Sequence, residues 1–173
     1  QMCIRDRSYR SLTDGEKLLF TELGIFEGGF DLEAITAVVD RRDAVLDLAP
    51  LVEKSLVKAL GGHPRRYRML ETLRSYAAFV RDHDVTARVR RRHVQWVTDL
   101  ADAAYVELRG PRAAQWMDRL DREMPNVRAA LEYCADDLET HLHIAGGLYW
   151  FWYRRGHVAE GLRYLEPAMK ARD

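Results

Sequence analysis

The chain has 173 residues, 47% of them apolar, enough to bury a real core, and this excludes a disordered segment. Basic and acidic residues number 27 each, so the formal charge is zero. That balance argues against a free-standing nucleic-acid binder and a polybasic membrane anchor, both of which carry a cationic surplus. The two cysteines, Cys3 and Cys134, have no Cys or His neighbour at ligand spacing, which excludes a disulfide framework and a zinc module. A reducing, cytoplasmic setting is expected. No apolar run approaches the roughly 20 residues that span a bilayer.

Residues 1–8, Gln-Met-Cys-Ile-Arg-Asp-Arg-Ser, read as a non-native leader of the kind that adapter read-through adds ahead of a coding sequence. The chain is then expected to be a section of a longer protein, and its fold begins at residue 9. Asp14 or Ser11 is expected to cap a first helix carrying Leu18, Leu19, Leu23 and Phe26 at helical spacing, closed by Gly28-Gly29. Asp31 caps a short second helix with Leu32, Ile35, Val38 and Val39 on one face. A third helix takes Val45, Leu46, Leu48, Ala49, Leu51, Val52 and Leu56, and Pro50 should start or bend it. Residues 56–60 and 65–70, around Gly61-Gly62, predict a β-hairpin, and a fourth helix follows from Glu71 to about Asp82. Three helices, a hairpin and a further helix make a winged-helix domain over residues 9–84.

From Thr86 onward only helical patterns occur. Residues 85–136 read as a helical arm: one helix from Ala87 to Leu108, one from Arg112 to Asp121, and one opening at Asn126 after Pro125. Residues 137–173 read as the first, truncated pair of a tetratricopeptide-like array. Leu148, Trp152, Gly156, Gly161, Leu165 and Ala168 match its spacing in part, Tyr149 standing where a small residue is usual. Such a pair cannot bury both faces alone, so further helical repeats are expected as its partners. The fold class expected is therefore mainly α: a winged helix with a small hairpin, then stacked α-hairpins.

The chain lacks the glycine-rich phosphate loop ending in Gly-Lys-Ser/Thr, the His-Glu-x-x-His zinc motif and the Gly-x-Ser-x-Gly elbow, so catalysis and a metal site are not expected. DNA needs cations on the third helix, yet that helix offers Asp47 and Glu53 against Lys54. Arg65, Arg66 and Arg68 on the hairpin could touch phosphate or form a solvated wing. Direct nucleic-acid contact by this segment is not expected, nor contact with a membrane. The run Arg88-Val89-Arg90-Arg91-Arg92-His93 opposes the helix dipole; acidic partners or a bound phosphate could offset it, and carboxylates of Asp99, Asp102 or the winged helix are the expected ones. Trp150-Phe151-Trp152-Tyr153 is denser than one helix face requires, and part of it could line a groove.

Five blocks in order carry a resemblance: Leu23-Gly24-Ile25-Phe26-Glu27-Gly28-Gly29-Phe30, Leu51 to Val57, Arg66 to Arg74, Asn126 to Leu131, and Trp152-Tyr153-Arg154-Arg155-Gly156-His157. Over residues 11–173 the chain resembles the segment that follows the nucleotide-binding core in AfsR-like and large LuxR-type bacterial regulators, signal-transduction ATPases with numerous domains. The resemblance implies an upstream ATP/ADP-binding domain as partner, the winged helix as its lid, and a helical-repeat sensor arm for an effector or protein partner. It places DNA binding on a separate domain. In the wider family the hairpin ends in Met-His-Asp, whose His contacts the phosphates of ADP; the matching residues here are Met69, Leu70 and Glu71. Leu70 has no donor to give, so Arg68 or Arg74 is expected to substitute.

Overall fold

The computed structural model describes residues 9–39, 41 and 43–170, with side chains to 166. The expected leader, Cys3 within it, and the side chain of Ala168 lie outside the described residues. The fold is mainly helical with a two-strand antiparallel sheet, and it divides into two compact units, Gln1–His93 and Val94–Asp173.

In the first unit α1 spans Asp14–Leu23, α2 Leu32–Val38 and α3 Ala44–Glu53. Thr13, rather than Asp14 or Ser11, caps α1. Its hydroxyl accepts from the Glu16 amide at 3.3 Å, while the Glu16 carboxylate accepts from the Thr13 amide at 3.1 Å. The helix stops at Gly24, four residues before the Gly-Gly pair. Asp31 caps α2 as expected, accepting from the Ala34 amide at 2.9 Å. Pro50 sits inside α3, at the end of its second turn, and neither starts nor ends it.

The hairpin is shorter than its pattern suggested. Strand β1, Lys58–Ala59, pairs with β2, Tyr67–Arg68, and Phe30 extends the pairing by exchanging two backbone bonds with Tyr67 at 2.8 and 2.9 Å. Helix α4, Glu71–Val80, packs on α1 through buried Leu73 and Ala77. Leu19, Phe20, Leu23, Ile25, Phe30, Ile35 and Leu51 form the centre, none more than 1% exposed.

Helix α5, His83–Glu107, starts in the first unit and continues into the second. The second unit adds α6 (Ala113–Tyr133), α7 (Leu138–Gly147), α8 (Tyr149–Arg154) and α9 (Val158–Lys170). The two helices expected on either side of Pro125 are one. A proline inside a helix costs about 3 kcal/mol, but Leu120, Met124, Val127, Ala130 and Leu131 are all buried along the continuous face. Burying each large apolar side chain gains about 1.5–3 kcal/mol, so the face outweighs the lost bond. Asp137 caps α7 by accepting from the Thr140 amide and hydroxyl. Between α7 and α8, Leu148 interrupts the helix for a single residue, and Ile144 O and Leu148 O still accept from Leu148 and Trp152.

Candidate functional site

The end of the hairpin opens on a depression of about 380 Å³ lined by Phe26, Gly28, Gly29, Arg68, Met69, Leu70, Glu71 and Arg74. Local geometry explains who points where. Met69 turns inward and is 6% exposed, while Arg68 and Leu70, on either side of it, face out. Leu70 occupies the position before α4 in an extended conformation and gives that helix no side-chain cap, so the first turn of α4 opens toward the depression. Gly29 forms the opposite wall. Its φ is 128°, and a Cβ there would lie 2.8 Å from the Tyr67 carbonyl, so only glycine permits this approach of loop to strand.

The structure brings Arg68, Leu70 and Arg74 to one place but gives the two arginines different situations. Arg74 donates to both carboxylate oxygens of Glu71, at 2.8 and 3.1 Å, and pairs with Glu27. Burial alone would make its guanidinium easier to deprotonate; the Glu71 and Glu27 carboxylates outweigh that and hold it above its ordinary value. Its donors are thus largely committed. Arg68 is exposed and has no hydrogen-bond or ion-pair partner among the described residues. Glu27 and the Gly28-Gly29 wall were not singled out as site residues in the sequence; the glycine pair was visible but reads there as a helix stop.

Helix α3, the element that would read DNA in a winged helix, shows solvent Val45 (40% exposed), Leu46 (73%), Ala49 and Glu53. Its neighbouring cation, Lys54, is drawn to Glu16 at 2.6 Å. On the wing, Arg66 is buried at 8% exposure beside Asp31, so only Arg65 and Arg68 of the three arginines expected to face solvent do so. Of the arginine run of α5, Arg88 finds its counter-charge in the winged helix. Arg88 donates to Glu22 at 2.6 Å, and Glu22 is fully buried with Arg41 3.8 Å away. Asp99 accepts instead from Gln95 and Asp102 from His143.

In the second unit, Leu148 and Trp152 are core residues, and the Trp152 indole donates to the Ala145 carbonyl at 3.1 Å. Gly156, at φ 75°, makes the turn before α9. A Cβ on Gly161 would lie 2.7 Å from Trp152 Cγ, so its lack of a side chain sets the spacing of α8 and α9. Trp150 is half-buried beside Tyr149 and Tyr153. Half-buried Leu165 joins Tyr149, Trp152, Tyr153, Val158, Gly161 and Leu162 around a shallow apolar groove of about 60 Å³. Among the described residues no cluster of His, Cys, Asp and Glu is placed to hold a metal, and no helix is long and apolar enough to cross a membrane.

The first unit is a winged helix: residues 12–81 match the winged helix-turn-helix domain family. The chain is also similar to proteins described as HTH-type transcriptional regulators, from Mycobacterium bovis and from the H37Rv and CDC 1551 strains of Mycobacterium tuberculosis. Each is 35% identical over 95% of this chain. The chain spans 20% of their length. Among solved structures, it is similar to a signal-transduction ATPase with numerous domains and a tetratricopeptide repeat sensor from Pyrococcus horikoshii. That likeness has 18% identity and a TM-score of 0.48, and covers 92% of this chain and 26% of the other.

Proposed function

We propose that this chain is the coupling segment of a larger, nucleotide-switched bacterial transcriptional regulator. The winged helix serves as a lid on an upstream ATP/ADP-binding domain, and the helices after it form a sensor arm. The observation that carries this reading is the hairpin-end depression, where the residues matched to the family's nucleotide-sensing motif line one cavity with an unpaired arginine, Arg68, at its edge. The relatives' description as transcriptional regulators, and their much greater length, support a regulatory setting. An effector on the arm would act by shifting the population of lid arrangements, which requires it to bind one arrangement better.

With Arg74 held by Glu27 and Glu71, Arg68 is the better candidate for ADP phosphate, because a charge-assisted bond needs free donors. Isothermal calorimetry on the full-length protein tests this. The reading expects Arg68→Ala to weaken ADP binding roughly tenfold, the loss of about one charge-assisted hydrogen bond. Unchanged affinity in that variant contradicts it.

A second reading, direct DNA contact by the wing, is favoured by exposed Arg65 and Arg68 beside Lys58. A gel shift by this chain that weakens with salt and disappears in the Arg65→Ala/Arg68→Ala variant would establish that reading over the first.

A further inference from the structure

His141 lies on the buried face of α7 with Ile144 and Ala145, the i, i+3 and i+4 positions of one stripe. It is 7% exposed. Its Nδ1 is 3.1 Å from the carbonyl oxygen of Leu131, near the end of α6, and its Nε2 is 3.0 Å from the carbonyl oxygen of Tyr164 on α9. The Tyr164 ring lies against the imidazole with centroids 5.9 Å apart. One side chain therefore joins three helices of the second unit.

A carbonyl oxygen only accepts, so a ring nitrogen bonded to one must bring the hydrogen. Neutral imidazole has a single N–H, and its other nitrogen would set a lone pair against the second carbonyl. Two such bonds require both nitrogens to carry hydrogen, which makes the ring an imidazolium. The Leu131 side of the site suits that charge. In a longer helix the Ala135 amide would serve Leu131, but it donates to the Glu132 carbonyl at 3.4 Å, which leaves the Leu131 oxygen to the ring and to a weak Cys134 thiol contact at 3.8 Å. Open carbonyls in the last turn are the negative pole of a helix and favour a cation.

The charged groups on the surrounding elements are largely paired with one another. Arg128 on α6 holds Glu160 on α9, Asp137 at the start of α7 accepts from Thr140, and Asp102 on α5 accepts from His143. Arg163 lies over the outer Tyr164 ring, Glu132 and Glu139 face solvent, and the side chain that α8 brings beside Tyr164 is the uncharged Trp152. The Cys134 thiol, raised to about 11 by burial, keeps its proton across the range in which histidine titrates.

We propose that His141 is carried as an imidazolium and is a proton-dependent joint that fastens α9 to α6 and α7. Loss of one proton removes one of its two bonds. The Leu131 oxygen has no other strong donor, whereas Tyr164 sits inside a helix whose own amides serve its carbonyl, so the remaining hydrogen stays on Nδ1 and the bond to α9 is the one lost. The extra bond is thus present in acid and disappears as the pH rises through the histidine range. This deepens the sensor-arm part of the proposed function by naming a proton as its regulator; it rests on that reading for its role in the arm and not on the nucleotide part.

The test uses the chain alone, without nucleotide, so that its failure leaves the lid reading standing. Long-range proton–nitrogen spectra of the histidine-labelled chain, assigned with His141→Gln, are expected to show both His141 nitrogens carrying hydrogen at about pH 6.5, where exposed His83 is half titrated. A one-hydrogen tautomer pattern for His141 at that pH overturns the proposal, and this reading needs no folded variant. Hydrogen exchange gives the second readout. Protection factors across residues 158–166 are expected to fall roughly tenfold between about pH 5.5 and 8 while those of α6 hold, the loss of about one charge-assisted bond. In His141→Gln, which keeps a donor and does not titrate, that fall should vanish; exposed His157, which titrates in the same range, remains in the variant. Constant protection of 158–166 in the unmodified chain, or an equal fall in His141→Gln, overturns the proposal.

Discussion

Arg128 on α6 grips Glu160 on α9 with two hydrogen bonds, 2.6 and 3.0 Å, a fork-to-fork pair between residues 32 positions apart. It joins the last helix of the second unit to the longest helix wholly within it. The Arg128 hydrogen bond is the main cause that holds the Glu160 carboxyl below its ordinary 4.5. Because the folded value is lowered, the stabilisation is present above 4.5 and is lost as the pH falls through that lowered value. Arg128→Ala should cost about 1 kcal/mol at neutral pH, the Arg128 side chain being 42% exposed and partly screened, and the cost should shrink in acid. Urea denaturation at neutral and acidic pH measures both.

Glu22 should behave in the opposite sense. Burial is the dominant influence and raises its carboxyl above 4.5 in spite of the hydrogen bond from Arg88. A raised folded value means the folded chain binds the proton better than the unfolded one. The associated stability is therefore present below 4.5 and is lost as the pH rises through the folded value. Glu22→Gln should flatten that slope in urea titrations, whereas Glu22→Ala should cost roughly 2–3 kcal/mol, because it empties a fully buried position and removes the acceptor that Arg88 donates to.

Two glycines should respond with opposite signs to the same substitution. At Gly161 a Cβ would meet three atoms of Trp152 within 2.9 Å, so Gly161→Ala should destabilise by about 1–3 kcal/mol despite the better helix propensity of alanine. At Gly146, near the end of α7, a Cβ meets nothing within 4 Å, and Gly146→Ala should stabilise by about 0.5–1 kcal/mol. Thermal melts of the two variants decide whether helix spacing or propensity governs each site.

Cys134 should be slow toward alkylating reagents in the folded chain. Burial, with the charge of Asp137 nearby, pushes its thiol up to about 11, leaving little thiolate at mildly alkaline pH. Peptide mass mapping after brief iodoacetamide treatment should find Cys134 unmodified when folded and modified in urea.

Local signals carried most of the element order into the structure. The Asp31 cap, the inward face of α1, the existence of α4 and α5 and the turn at Gly156 all follow from residues within a few positions of one another. The errors arose where distant packing decides. Pro125 reads as a break because a proline lacks a donor, and nothing local reveals that the helix buries one face on both sides of it. Arg66 reads as a wing cation because its partner, Asp31, is 35 positions away. The depression was half legible: a motif match names Met69, Leu70 and Glu71, but the commitment of Arg74 to Glu27, 47 positions earlier, depends on the tertiary fold, and it is why Arg68 rather than Arg74 is proposed to meet phosphate.

The central claim is that nucleotide state is read at the hairpin-end depression. Hydrogen exchange on the full-length protein, with and without ADP, tests it most directly, because amide protection reports local closure segment by segment. The account predicts slower exchange with ADP in residues 26–29 and 68–74, and no change across α3. Equal exchange in those two segments with and without ADP, or protection confined to α3 on adding duplex DNA, would contradict it.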